Sequence, residues 1–195
     1  VKHSHRYQKL DLPHFRSAPD IDPDVVSLGQ YRWDPLPHAD VPLTWLTGMR
    51  TMTTAGDVNT QVGGASHVYL VTTSMVDAYF FSADSEMLVV PQEGQLRFAT
   101  ELGVIDVAPQ EIAILPRGLV YRVEVIEGPC RGFVCENYGQ KFELPGRGPI
   151  GANCMANPRD FKAPVAAFED REVPSTLTVK WGGQFHVTHI GQSPL

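Results

Sequence analysis

The chain has no apolar run approaching the roughly 20 residues needed to cross a bilayer as a helix, and no signal-peptide pattern opens it. It has no dense cluster of Lys and Arg interleaved with aromatics. Its 16 basic residues are outnumbered by 22 acidic ones, for a net charge of -6. Membranes and nucleic acid are therefore not expected partners. Cysteine is scarce: Cys130, Cys135 and Cys154 are the three, and none forms a Cys-x-x-Cys array. That argues against a zinc site, and points to free thiols in a reducing compartment. A cytoplasmic location is the expectation. The chain also lacks an initiator Met and stops at Ser193-Pro194-Leu195, just after a strand-like segment. A fragment of a longer protein is expected.

What is present is a β grammar. The 195 residues are 43% hydrophobic, with 17 Gly and 16 Pro, enough for one domain with a core and many turns. The centre is Glu86–Arg122, EMLVVPQEGQLRFATELGVIDVAPQEIAILPRGLVYR. Met87 to Val90 reads as a short strand running into Pro91, with a break at Gly94. Leu96, Phe98 and Thr100 then alternate with Gln95, Arg97 and Ala99, the signature of a half-buried strand. Glu101-Leu102-Gly103 reads as a turn, Val104 to Val107 as a strand ended by Pro109, and Ile112 to Leu115 as another. Pro116-Arg117-Gly118 is a corner, after which Val120 to Val125 alternates again. Short, evenly spaced strands of this kind argue for an antiparallel meander closed into a sandwich or barrel.

Around that centre the organisation is asymmetric. Residues 1–42 carry six prolines, too many for a helix, and are expected to be an extended arm that Trp33 and Trp45 dock onto the body. Residues 43–195 are expected to be the body. Strands are expected over Leu43–Thr54 (broken by Gly48), Ala65–Thr72, Asp77–Phe81 and Arg131–Tyr138, with a polar loop between Gly56-Asp57 and Gly63-Gly64. About eight strands result. Thr176–Trp181 and Gln184–Ile190 around Gly182-Gly183 read as a C-terminal hairpin, and 163–172 as a short helix or turn. The loop 142–161, FELPGRGPIGANCMANPRDF, is too rich in Gly and Pro for regular structure. It is expected to be held by Asn153, Asn157, Arg159 and Asp160, and loops of that length are usually functional or packed on a partner.

No histidine pattern here makes a metal or catalytic site. His3, His5 and His14 are irregularly spaced among Lys and Arg and read as solvated. His186 and His189 point to opposite faces of a strand. His67, between Ser66 and Val68, reads as a hydrogen-bonded core or interface histidine. No catalytic, cofactor-binding or metal residue is assigned.

The order of a Glu, an apolar strand, a Gly turn and a Pro-x-Gly corner resembles the cupin family. A metal-binding cupin would carry a His-x-His pair before Glu86 and a His after the corner. Here the upstream residues are Tyr79 to Asp84 and the residue after the corner is Tyr121, so Glu86 stands alone as an ordinary solvated strand-end carboxylate. The fold expected is all-β: a cupin-like jelly-roll β-sandwich with a Pro-rich N-terminal arm and a long irregular Gly/Pro loop. A metal-free sugar-modifying cupin enzyme would need a His base with a carboxylate, for which His67 with Glu86 or Asp84 is the nearest candidate. A non-catalytic cupin-like module binding a ligand or partner is the other alternative.

A more specific resemblance covers nearly the whole chain. Glu143-Leu144-Pro145, Gly148 to Asn153, Ala156 to Phe161, Glu169-Asp170-Arg171 with Val173-Pro174, Ala55-Gly56-Asp57, Ser74-Met75, Val89 to Gln92 with Gly94, and Arg117-Gly118 resemble the homogentisate 1,2-dioxygenase family. The resemblance implies an Fe(II) enzyme of tyrosine and phenylalanine catabolism that opens homogentisate with O2 to give maleylacetoacetate. It implies that this chain is a metal-free N-terminal scaffold domain, inactive alone. The Fe(II) ligands, two His and one Glu, would lie beyond Leu195, together with a Trp-His-Gly-Asn motif carrying a further acting His. It also implies a homo-oligomer, trimeric or hexameric, when intact.

Overall fold

Two long strands carry the architecture. In this computed structural model, which describes residues 6–18, 32, 34–38, 40–144 and 157–195, ten strands follow in chain order. They are β1 Gln8–Leu10, β2 Met49–Asp57, β3 Val62–Val71, β4 Ala78–Ser82, β5 Glu86–Thr100, β6 Gly103–Val107, β7 Ala113–Leu115, β8 Tyr121–Asn137, β9 Ser175–Trp181 and β10 Gln184–Ile190. The expected all-β sandwich is present, with ten strands rather than eight. His3, His5, Trp33, Asn153, Cys154 and most of the Gly/Pro loop lie outside the described residues.

β5 and β8 pair antiparallel along nearly their whole lengths, from Glu86↔Asn137 to Thr100↔Tyr121. The sequence pattern predicts each as two strands separated by a break. Each is instead one strand with a bulge, and the bulges coincide: Glu93 faces Arg131, but Gln95 already faces Glu127. Bulges shift the inward register by one residue. On β5 the buried set passes from Met87, Val89 and Pro91 to Leu96, Phe98 and Thr100. On β8 it passes from Tyr121 and Val123 to Cys130, Val134 and Glu136. Gly94 is required at this point. Its φ is +74°, and an added Cβ would lie 2.6 Å from the Glu127 carbonyl oxygen and 2.7 Å from Cys130 Sγ.

The shared bend folds one sheet into two layers. The first half of β5 pairs with β7 and with the second half of β8, which continues to β3 and β2. The second half of β5 pairs with β6 and with the first half of β8. That half of β8 joins β4 through Phe80↔Tyr121, and the layer continues through β9 and β10 to β1. Between the layers pack Trp45, Tyr69, Phe80, Phe98, Tyr121, Met87 and Leu96, all essentially excluded from solvent. Trp45 Nε1 donates to Tyr121 Oη at 3.2 Å, which satisfies both polar atoms inside the core.

Other boundaries differ from expectation for local reasons. Residues 45–48 turn before β2 begins at Met49. Gly56 and Gly63, read as loop ends, pair with each other inside the β2–β3 hairpin. Residues 163–172 form no helix: the backbone runs extended, and Val165 exchanges two 2.8 Å hydrogen bonds with Val104. The loop expected to hold no regular structure contains a 3-10 turn, Pro158–Asp160, where the Asn157 amide donates to the Asp160 carboxylate. Among the described residues before 42, β1 pairs with β10, and Phe15 enters the core against Phe185 and Phe80. Trp45 belongs to the core itself.

Candidate functional site

The densest polar chemistry lies inside the roll, on residues that the sequence pattern does not connect. His67 on β3, Glu136 on β8 and Lys180 on β9 are all completely buried. Alternation explains how they come inward. Glu136 shares the register of Cys130 and Val134, and Lys180 shares that of Thr178, which leaves Trp181 exposed at the strand end. Lys180 Nζ donates to Glu136 Oε2. Since β8 contributes Glu136 to one layer and β9 belongs to the other, this ion pair crosses the interior between the layers.

Every side of the pair is occupied. Ser85 Oγ donates to Glu136 Oε1 at 2.8 Å and is itself held by Ser82 Oγ at 2.9 Å. His67 Nε2 stands 3.2 Å from Glu136 Oε2 but out of line for a hydrogen bond. His67 Nδ1 meets Thr51 Oγ1 at 2.9 Å, and Thr51 Oγ1 accepts the Arg16 amide at 2.7 Å, which ties the arm to the network. The Lys180 ammonium sits 5.1 Å from the centre of the Phe15 ring and 5.5 Å from that of Tyr138, a cation–π arrangement in a desolvated setting. Burial alone would raise the Glu136 pKa, but the Lys180 ammonium and the neighbouring His67 hold it down to about 2.

The candidate carboxylates named for His67 are elsewhere. Asp84 accepts the amides of Gly182 and Gly183 at 2.7 and 2.9 Å. It thereby fixes the β9–β10 turn, whose two glycines both have positive φ, as a type I′ turn requires. Glu86 is half-buried rather than solvated, and it accepts the Phe142 amide at 2.6 Å. His67 therefore has a carboxylate partner, but it is Glu136, and neither imidazole nitrogen reaches solvent. The network ties the two layers together as a bolt between them. His186 is half-buried and His189 exposed, and they share no partner. Among the described residues no group of three or more His, Cys, Asp or Glu converges as a metal site would need.

A second cluster pins the end of the chain. Arg122 on β8 donates to both Glu169 oxygens, at 2.6 and 3.1 Å, and to Glu124 at 2.7 Å. Tyr79 Oη and Ser193 Oγ donate to Glu169 Oε2 at 3.2 and 2.6 Å. The Glu169 amide donates to the Leu195 carbonyl at 2.8 Å, and the Ser193 amide to that of Arg171 at 3.0 Å. Burial would raise the Glu169 pKa, but the Arg122 and Ser193 contacts bring it down to about 2. In the sequence, Glu169 and Arg171 stand out only as part of a resemblance. In the fold they hold residues 193–195 against β4 and β8.

The family model described as "Homogentisate 1,2-dioxygenase N-terminal" matches residues 1–195. Homogentisate 1,2-dioxygenase of Rhodopseudomonas palustris (strain TIE-1) is 57% identical over 195 residues, covering 100% of this chain and 43% of that protein. The enzyme of the same name from Sinorhizobium fredii (strain NBRC 101917 / NGR234) is 57% identical over 197 residues, covering 100% and 44%. The chain thus spans less than half the length of these curated relatives. Among solved structures, a cupin-2 domain containing protein from Shewanella frigidimarina overlaps 50% of this chain and 84% of its own at 18% identity and a TM-score of 0.39.

Proposed function

The chain belongs to the homogentisate 1,2-dioxygenase N-terminal family, and from that premise we propose that it is the scaffold portion of an Fe(II)-dependent dioxygenase. In this reading the whole enzyme opens the ring of homogentisate with O2 to give maleylacetoacetate, in the breakdown of tyrosine and phenylalanine. The observation that carries it is identity of 57% across the full chain to proteins of that name. A cytoplasmic homo-oligomer, trimeric or hexameric, is part of the same proposal. So is the division into an arm over 1–42 and a body over 43–195.

The donor set described does not fit the iron. Fe(II) in such enzymes wants several convergent imidazole and carboxylate ligands with open positions. Among the described residues the one buried imidazole, His67, has one carboxylate beside it, Glu136, which already carries the Lys180 ammonium; the other buried carboxylate, Asp84, is taken up by the Gly182 and Gly183 amides. We therefore place the ligands in polypeptide outside this chain and assign no catalytic residue within it. What these residues supply is a rigid two-layer body, bolted by Lys180–Glu136, with a fixed exit at Leu195. The test is a titration of the chain with Fe(II), alongside an O2-uptake assay with homogentisate on the chain and on the full-length enzyme. The chain should bind no stoichiometric iron and consume no O2, and the full-length enzyme should do both. Tight one-to-one iron binding by the chain would overturn the placement. An iron-loaded full-length protein inert toward homogentisate would overturn the activity.

A further inference from the structure

Four large apolar side chains stand in water on the outer edge of β6 and the segments beside it. Phe168 is 84% exposed, Val165 75%, and Leu102 and Ile112 63% each. One backbone bridge and one ion pair bring the segments that carry them together. Val165 bridges to Val104 on the outer edge of β6, two residues from Leu102 in the β5–β6 turn. Lys162 pairs with Glu111, next to Ile112. Phe168 follows on the same extended segment and immediately precedes Glu169. The stripe is rimmed by charge from Lys162, Glu169 and Arg171, the pattern of an apolar contact with a polar border.

We propose that this stripe is the face on which the polypeptide following Leu195 docks in the full-length enzyme. The proposal rests on the reading above that the chain is the amino-terminal part of a longer protein. Its occupant is identified by where the chain leaves. The residue next to Phe168 grips Leu195 through the Glu169 amide, and the Glu169 carboxylate holds Ser193. Arg122 fixes Glu169 in turn. More than half the length of the curated relatives lies outside the matched region, and the polypeptide after Leu195 starts beside the stripe. A tethered segment meets a nearby surface at a high effective concentration, so a modest apolar face suffices to hold it. The Glu169 clamp then sets the angle at which the following polypeptide leaves.

The test uses full-length enzyme carrying Phe168→Cys or, as the exposed control, Val62→Cys. Val62 is 60% exposed on the β2–β3 hairpin, which joins the Asn137 end of β8, whereas Val104 and Val165 lie at the Thr100 end of β5. Maleimide labelling of each introduced thiol is followed by peptide mass spectrometry. The proposal expects labelling at 168 to be slower by about 10-fold or more. Equal rates would overturn it. Protection that vanishes when the assembly is separated into folded single subunits would give the face to a second copy and would also overturn it. If Phe168→Cys does not fold, hydrogen exchange at the amides of Ala166 to Phe168 in the unmodified enzyme decides, with unprotected amides refuting the idea. Labelling and exchange read the surface whether or not homogentisate is turned over, so an inactive enzyme with a protected stripe sinks only the activity.

Discussion

Replacing Lys180 with Met keeps the length and much of the volume of the side chain while deleting its charge. The Glu136 carboxylate is then left in the interior with Ser85 and a poorly aligned His67 as its remaining partners. Removing one member of a buried ion pair costs about 3–5 kcal/mol, because the other charge has no water to return to. The lowered Glu136 pKa, about 2 against an ordinary 4.5, points the same way, because the fold favours the ionised carboxylate while Lys180 is present. For a chain of this size each kcal/mol moves the melting temperature by about 2–4 °C, so Lys180→Met should lower it by roughly 6–20 °C. The double variant Lys180→Met/Glu136→Gln should recover part of the loss, since neither charge is then stranded. Glu136 has a depressed pKa when folded, so its contribution is complete above about pH 4.5. It declines as pH falls toward 2, where the folded carboxyl also protonates. Lys180→Met should shrink this acid-dependent loss by the share due to Glu136. Urea denaturation of the chain followed by fluorescence at pH 7 and pH 3 measures both effects. A Lys180→Met chain within about 1 kcal/mol of the parent at pH 7 would refute the idea that this ion pair joins the layers.

Three further outcomes follow from the geometry. Glu169→Gln weakens the charge-assisted contacts to Arg122, so proteases should cleave near 190–195 faster and stability should fall by about 1–2 kcal/mol. Unchanged cleavage would refute the clamp. Gly94→Ala meets both a φ of +74° and backbone oxygens at 2.6 and 2.8 Å, whereas Gly118→Ala, at φ +83°, meets nothing within 4 Å. Denaturation midpoints should show Gly94→Ala the more damaging, with Gly118→Ala costing only the strain of about 1 kcal/mol; equal losses would count against the aligned bulges. Burial pushes the Cys130 thiol up to about 11, so iodoacetamide at pH 8 should modify it only after unfolding; rapid modification of the native chain would contradict its buried setting.

Much of the strand layout is legible in the sequence because alternation is local. Leu96, Phe98 and Thr100 are buried as expected, β6 and β7 fall within a residue of expectation, and the Gly182-Gly183 hairpin pairs as read. What fails is the reading of Gly and Pro as breaks within β5 and β8. A glycine in a strand marks either a turn or a bulge, and only the partner strand decides which. Gly94 is a bulge because Glu127 to Cys130 bulges opposite it. The interior bolt is hidden for a related reason. Lys180 and Glu136 lie 44 residues apart, and nothing near either one signals the other. A signal does exist in the inward register of each strand, where Glu136 follows Val134 and Lys180 precedes an exposed Trp181. The short helix allowed over 163–172 does not form, because that segment pairs with an edge strand instead.

Among the described residues, the first strand and the last are neighbours. β1 pairs with β10, Lys9 opposite His186, and β4 pairs in parallel with β9. During synthesis at about 5–20 residues per second, residues 8–10 wait roughly 10–35 s for their partner to emerge. Through that interval β4 lacks its parallel neighbour, and Phe15 lacks the Phe185 ring that packs against it. Nascent chains should therefore be most vulnerable to aggregation just before β9 and β10 leave the ribosome. A chaperone bound to the early segment cannot hand it to β10 before residue 190 is out.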